Sequence, residues 1–408
     1  MKYGRFARTA LLVALVFGAA AYGSAPASAT QRSIRAAKPS GSPIVIGSVG
    51  TYSVTTGNFA DAGEPAIEAW ADWVNAHGGI NGHPIKLIVK NNMNNEAQAV
   101  SLVKQLVQQD HVVAFVSNED GSLNTGYATY LQQQNIPVLG GSVYTLEPWD
   151  SNPMFFPQGM TAIPQLTAIV QSAKKLGYKT IGSLACSESA QCAEANAFLK
   201  PLADKGGVQY VYGGLVSSTA ADYTASCLAA QQAGAKSIVL LVPTAAEGQT
   251  IAGDCARQGY KPAYIIPGEA IGPGYLKLAA FDNGINNAPT QPWFSTAPDM
   301  KTFHEAMKKY TNINFKTVEE PMDAVDAWVS GLMFQEAVKL SGATGVPTSQ
   351  DILTGLSKFN DQTLGGMTGG LTFNDPTNKS EGCYFTVVIK KQQFTLPGGS
   401  TPSCVPSS

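Results

Sequence analysis

The chain is poor in the groups on which most chemistry runs. Only 14% of its 408 residues are charged, and 27 Lys and Arg nearly balance 29 Asp and Glu. No long basic run stands out, so nothing here suits nucleic acid. The four histidines (His77, His83, His111 and His304) never form the H-E-x-x-H pattern of zinc hydrolases. No P-loop occurs, and no spaced G-x-G-x-x-G opens a helix after a strand. "GGSVY" at 140–144 lacks the second glycine of a nucleophile elbow, and S-x-x-K patterns come without their companion motifs. No cysteine precedes residue 186, and no close C-x2-C pair or neighbouring histidine offers a zinc site. Paired carboxylates acting on a glycoside leave no spacing signature, but nothing else favours an enzyme. The expectation is a protein with no catalytic residues, no cofactor and no metal.

What is present begins with an export signal. Lys2, Arg5 and Arg8 precede the short apolar run "ALLVALVFGAAA", and "ASA" at 27–29 supplies the small residues of a cleavage site. Residues 1–29 therefore read as a signal peptide cleaved after Ala29. The run is too short to span a bilayer comfortably. No cysteine follows it for acylation, so the chain is not a lipoprotein by sequence and is expected in the periplasm or outside the cell. Residues 30–43, "TQRSIRAAKPSGSP", are polar and lack periodicity, as a flexible linker would.

An even number of cysteines in an exported chain points to disulfides. Sequence neighbours pair most simply, as Cys186–Cys192, Cys227–Cys255 and Cys383–Cys404; the other connectivities stay open. A Cys227–Cys255 bridge would contribute about 3–4 kcal/mol if unstrained.

The rest alternates short apolar runs with amphipathic stretches. "IVIGSVG" reads as a strand and "GEPAIEAWADWVNA" as a helix, with Ile67, Trp70, Ala71 and Val74 on its apolar stripe. "HGG" stops that helix, because glycine accepts the left-handed backbone of a helix end, and "HPIKLIVKNN" follows as a strand. The rhythm continues to "IPVLGGS" and resumes from "QLTAIVQSAKKLGY" to "PAYIIPGE". Such alternation predicts parallel sheets covered by helices, with ligands at the carboxyl ends of the strands. The length exceeds what one core fills. After about residue 290 come helices at "FHEAMKKYTN", "DAVDAWVSGLMFQEAVKLSG" and "SQDILTGLSKF". "GGLTFND" and "CYFTVVIKKQQF" read as two antiparallel strands joined around "DPTNKSEG".

Together, "IVIG…TG…WVNAHGGINGHPIKLIV", "AQAVSLVKQLVQQDHVVAFVS", "YLQQQNIPVLGGS", "DAVDAWVSGLMFQEAV" and "GLTFND" resemble the type I periplasmic binding proteins. The nearest group is the leucine/isoleucine/valine-binding proteins of ABC importers, and the resemblance runs in order through nearly the whole exported chain. It implies an α/β fold of two Rossmann-like lobes with parallel sheets, joined by three crossovers and closing over a solute. The first lobe would hold residues 44–158 and about 288–358, the second 159–287 and about 359–408.

The resemblance also suggests site residues. The first lobe would hold the polar head of a ligand at Ser122 and at Ser142, Val143 and Tyr144, where loop N–H groups and hydroxyls attract a carboxylate. Phe59 would close the pocket as an aromatic. Pro243 and Thr244 lie at a further strand end. In the second lobe, Glu269 stands at, or one residue from, the acidic position that meets a ligand's amino group, while "ACSESAQC" replaces a loop that often carries tyrosine. The implied function is a monomeric solute-binding protein that presents a small carboxylate-bearing solute, a branched-chain or other amino acid first, to an ABC permease. An aromatic acid or amide is the second ligand reading, and a sensory receptor module the alternative role.

Overall fold

The computed structural model describes residues 38–53, 62–145, 147–188, 190–242, 244–374 and 382–405. The proposed signal peptide, most of the polar linker, Phe59 and Pro243 lie outside the described residues. Everything described below belongs to one compact unit, Ala36–Ser408.

The first half builds strand β1 (Ile44–Gly50), helix α1 (Gly63–Ala76), β2 (Ile85–Asn91), α2 (Glu96–Gln108), β3 (Phe115–Asn118), α3 (Thr125–Gln134), β4 (Val138–Gly141) and β5 (Phe155–Phe156). The strands form a parallel five-stranded sheet in the order β2-β1-β3-β4-β5. Between α1 and β2 the glycine-rich stretch makes its reversal in a few residues. Ile80 and His83 exchange backbone hydrogen bonds of 2.9 Å each. Gly79 has φ +70°, and a Cβ there would lie 2.1 Å from the His83 carbonyl oxygen, so the turn admits only glycine. The same turn receives the end of the lead-in: the Gly41 amide donates to the Gly82 carbonyl over 3.0 Å.

The chain then repeats the plan with α4 (Ala162–Lys175), β6 (Thr180–Cys186), α5 (Ala190–Gly206), β7 (Gln209–Val216), α6 (Thr224–Gln232), β8 (Ser237–Leu241), α7 (Ala245–Arg257), β9 (Ala263–Ile266) and β10 (Ile285–Ala288). The parallel part of this second sheet runs β7-β6-β8-β9-β10, the same order as the first sheet. Each lobe thus has its order reversal beside its first strand, where open α/β sheets leave a crevice.

Helices α8 (Lys301–Tyr310), α9 (Met322–Ser341) and α10 (Ser349–Leu356) return to the first sheet. Most of α9 is buried, as expected of a helix apolar on all sides. Trp70 and Trp73 of α1 meet Phe334 and Trp328 of α9 edge-on, and the Trp70 indole donates to Gln335 over 2.9 Å. The last segment rejoins the second sheet, where β11 (Cys383–Lys390) runs antiparallel to β10 and to β12 (Gln393–Thr395), and β13 (Ser403–Cys404) pairs with β11.

The tail differs from its sequence reading. "GGLTFND" contributes only an isolated bridge between Leu371 and Gln362, whereas "CYFTVVIKKQQF" holds both strands of a hairpin. Lys391 and Gln392 take φ of 51° and 56°, the backbone of a tight two-residue turn. No glycine marks that turn in the sequence. Cysteines are joined as Cys186–Cys192, Cys227–Cys255 and Cys383–Cys404.

Three segments cross between the sheets and run side by side. In the first, the Gln158 side chain accepts from the Gly141 amide (3.1 Å) and donates to its carbonyl (2.9 Å). In the third, the Thr368 hydroxyl donates to the Gln158 carbonyl over 2.9 Å. Thr290 of the second pairs with Thr368 in an antiparallel bridge. At the end of β4, Gly140 has φ +67°, and a Cβ there would stand 1.9 Å from the Ser330 hydroxyl of α9. Gly140→Ala should therefore cost more than about 1 kcal/mol in chemical denaturation, through backbone strain and lost packing together. Adding Ser330→Ala should recover the packing part only; full stability in the single variant would refute this close fit.

Candidate ligand-binding cleft

The carboxyl ends of β3 and β4 carry the first wall of the cleft. Ser117, the third residue of β3, has φ +60°, a conformation most side chains avoid. Its carbonyl accepts the Ser48 hydroxyl at 2.7 Å, and its own hydroxyl donates to Glu119 Oε1 at 3.0 Å. The other oxygen, Glu119 Oε2, accepts from the Ser142 hydroxyl at 2.9 Å. Next to it, Asp120 Oδ2 accepts from the Tyr127 hydroxyl at 2.6 Å, and Asn118 donates in turn to that hydroxyl. Two buried acids thus stand side by side where the sequence suggested a cradle for an anion.

The second wall comes from the loop after β9. The Asn286 amide donates to the carbonyls of Ile266, Pro267 and Gly268, which fixes that loop. Glu269 at its end is buried and accepts from Gln165 of α4 at 3.3 Å. A third contribution is the start of α9, where Asp323 and Asp326 lie one turn apart and are buried. Asp326 Oδ1 accepts from the Thr290 hydroxyl at 2.6 Å.

These acids feel one another. Burial pushes the Glu119 carboxyl up to about 7, and Glu269, across from it on the other lobe, raises it further against the lowering effect of its two serines. Burial also drives Asp120 up to about 8. Asp323 and Asp326 are raised well above the ordinary range by burial first. For Asp323 the charges of Glu320, Glu119, Asp326 and Glu269 then add, and for Asp326 those of Glu269 and Glu119. Glu269 itself is raised by burial. Carboxylates on three separate segments are therefore near enough to act on one another.

Ser142 is buried and its proton is committed to Glu119. Val143 is fully buried in the apolar core of the first lobe and leaves only its backbone to a ligand. Tyr144 keeps 43% of its surface accessible, and its hydroxyl lies over Gly121. Ser122 is exposed in the 3-10 turn Gly121–Asn124. Thr244 caps α7, its hydroxyl accepting from the Glu247 amide at 3.1 Å. Sequence reading missed Glu119, Asp120, Asp323 and Asp326. "NED" directly after a buried strand, and two aspartates three apart in an otherwise apolar helix, were the available signals.

The profile of the periplasmic binding proteins matches residues 43–393. The chain belongs to that family. Solved structures share its fold at low identity. A branched-chain amino acid ABC transporter protein from Thermus thermophilus with bound valine has a TM-score of 0.76 and 18% identity, covering 90% of this chain and 98% of that one. A solute-binding protein from R. palustris in complex with benzoate reaches 0.70 at 14%, covering 90% and 98%. A fatty acid ABC transporter substrate-binding protein from Thermomonospora curvata reaches 0.72 at 17%, covering 91% and 93%. No curated protein sequence matches the chain closely enough to count as a relative. As a periplasmic binding protein it has two α/β lobes.

Those acids make the stability of the free binding protein depend on pH. Below their ordinary values, both folded and unfolded chains hold the protons, and the groups contribute nothing. Above those values the unfolded chain releases protons that Glu119 and Asp120 keep until about pH 7 and 8. Stability therefore falls through that window, by about 1.4 kcal/mol per pH unit for each such group. Thermal unfolding of the ligand-free protein should shift to lower temperature between pH 5 and 8. Glu119→Gln or Asp120→Asn should flatten the profile, and a stability that rises over that interval would contradict the assignment.

Proposed function

We propose that this chain is the extracytoplasmic receptor of an ABC importer, exported after cleavage at Ala29. It binds a small solute bearing an amino group between its lobes and presents it, as a monomer, to a membrane permease. The observation that carries this reading is Glu269. It is buried at the end of a tethered loop in one lobe, keeps Oε1 without a partner among the described residues, and faces Glu119 of the other. An ammonium group placed there would donate hydrogen bonds to both carboxylates and draw the lobes together.

The carboxylate half of the sequence expectation has weaker support. Ser142, its best hydroxyl, already donates to an acid, and a second anion beside Glu119 and Asp120 would meet like charge. Tyr144 and the backbone N–H groups of the loop at 142–145 are the remaining contacts from the first lobe.

A thermal-shift screen of amines, amino acids, aromatic acids, amides and sugars tests the reading. A ligand at 100 times its dissociation constant should stabilise the protein by about 2.7 kcal/mol. Glu269→Gln should weaken an amine-bearing ligand about tenfold or more, as expected for a lost charged hydrogen bond. Silence across all these classes would end the receptor reading, and a hit indifferent to Glu269→Gln would remove its second-lobe contact.

A further inference from the structure

We propose that the second lobe docks on an anionic phospholipid surface through the pole where its parallel strands begin. The argument starts from a row of lysines. Lys179 directly precedes β6, Lys236 directly precedes β8, and Lys261 stands two residues before β9. Lys205 lies in the last turn of α5, just before β7. Lys390 ends β11 and Lys391 follows it, at the end that runs antiparallel past the start of β10. Backbone hydrogen bonds knit these positions together. The Gln209 amide donates to the Lys179 carbonyl over 2.9 Å, and the Ala263 amide to the Lys236 carbonyl over 3.0 Å. The Lys236 amide in turn donates to the Thr180 carbonyl over 3.3 Å. Lys174, in the last turn of α4, reaches the same end, where its ammonium donates to the Gly206 carbonyl over 2.9 Å. With Lys175 beside it, eight lysines share this pole, and all are exposed.

Opposite charge is nearly missing there. None of the eight lysines forms an ion pair among the described residues. Of the nearby acids, Asp204 is paired with Lys200, Asp254 is buried and paired with Arg257, and Asp282 accepts from the Gln392 amide. Ordinary soluble surfaces intersperse both signs, and the chain as a whole has a formal net charge of −2. A pole of one sign is therefore a departure. Lysines in the last turns of α4 and α5 also serve the helix dipole, but Lys179, Lys236 and Lys261 lead into strands and serve none. The arrangement selects the partner. Neighbouring strands lie about 4.8 Å apart, so the row from β7 to β11 extends for about 25 Å, too far for one small anion. Every member is lysine, a point charge that needs no fixed acceptor geometry, whereas a defined carboxylate or phosphate site favours the fork of arginine. Fluid headgroups are acceptors of that kind. Leu176, which follows Lys175, leaves 48% of its surface exposed and offers an apolar contact below the headgroups. A groove of about 330 Å³ bordered by Gln171, Lys174, Lys175, Tyr384 and Ser403 gives one headgroup a place to enter. The pole lies at the opposite end of β9 from the loop that carries Glu269, so a docked lobe keeps that loop away from the lipid.

Sedimentation of the full exported protein with lipid vesicles, its disulfides intact, provides the test. Vesicles of one part phosphatidylglycerol to two parts phosphatidylcholine should carry the protein down at about 50 mM salt and release it at about 500 mM. Vesicles of phosphatidylcholine alone should not bind it, and equal binding to them would overturn the proposal. Lys179→Gln, Lys236→Gln and Lys261→Gln combined should lower the partition coefficient about a hundredfold, since each lysine near an anionic surface contributes about fivefold. The same three positions changed to Arg should bind as the unaltered protein does, which separates charge from any structural role. Lys308→Gln with Lys309→Gln on α8 should leave binding unchanged; loss of binding there would move the contact away from this pole and overturn the assignment. Failure of the unaltered protein to sediment with the anionic vesicles at low salt would also overturn it, as would undiminished binding by the triple Gln variant. Binding to soluble polyglutamate without binding to vesicles would overturn it in favour of an acidic polypeptide partner. The salt dependence of the unaltered protein decides the question even if a variant folds poorly.

Discussion

Carboxylates that share a dry space repel one another, and that repulsion governs the rest of this molecule. Glu119, Glu269, Asp323 and Asp326, from three separate segments, are all buried and act on one another. Removing a single ionised carboxylate from water costs several kcal/mol, and opposing several of them costs more. Burial and like charge together raise these groups, so that protons offset part of the repulsion. A cationic solute meets it differently, by supplying the missing charge and letting the protons go. Since a ligand shifts a conformational balance only by its differential affinity for the two states, the acids split between the lobes convert positive charge directly into a preference for closure.

That conversion needs a frame on which the acids stay put while the lobes move. The parallel parts of the two sheets have the same strand order. Glu119 is held by two serines, one of them in the strained backbone of Ser117, and Glu269 by a loop laced to Asn286. Strain of this kind persists where the surroundings over-determine it. Here the surroundings are Ser48, Glu119 and the adjacent strands. The crossovers touch one another through hydrogen bonds and one bridge.

Much of this fold was legible because strand and helix periods alternate so regularly. "IVIGSVG" and "DAVDAWVSGLMFQEAVKLSG" could each be placed to within a residue or two from their apolar spacing alone. The β11–β12 hairpin was harder, since its turn residues Lys391 and Gln392 carry positive φ without the usual glycine or asparagine. The cleft was the least legible part. Serine at a strand end invites the reading of an anion cradle, but only the fold shows that the Ser142 proton goes to Glu119, 23 residues away. The placement of Asp323 and Asp326 follows only once α9 is seen to pack against β3 and β4.

Asp326 joins the cleft to the hinge. Its Oδ1 accepts the hydroxyl of Thr290, which lies in the second crossover; Thr290 bridges to Thr368 in the third; Thr368 donates to Gln158 in the first; and Gln158 clasps Gly141 beside Ser142. A hydrogen bond to an ionised acid is roughly twice as strong as one to its neutral form. A positive solute that ionises Asp326 therefore also tightens its hold on Thr290, and the segment that must bend on closure is drawn toward the ligand's side. A charge placed beside Asp326 would thus reach all three crossovers through this chain of hydrogen bonds.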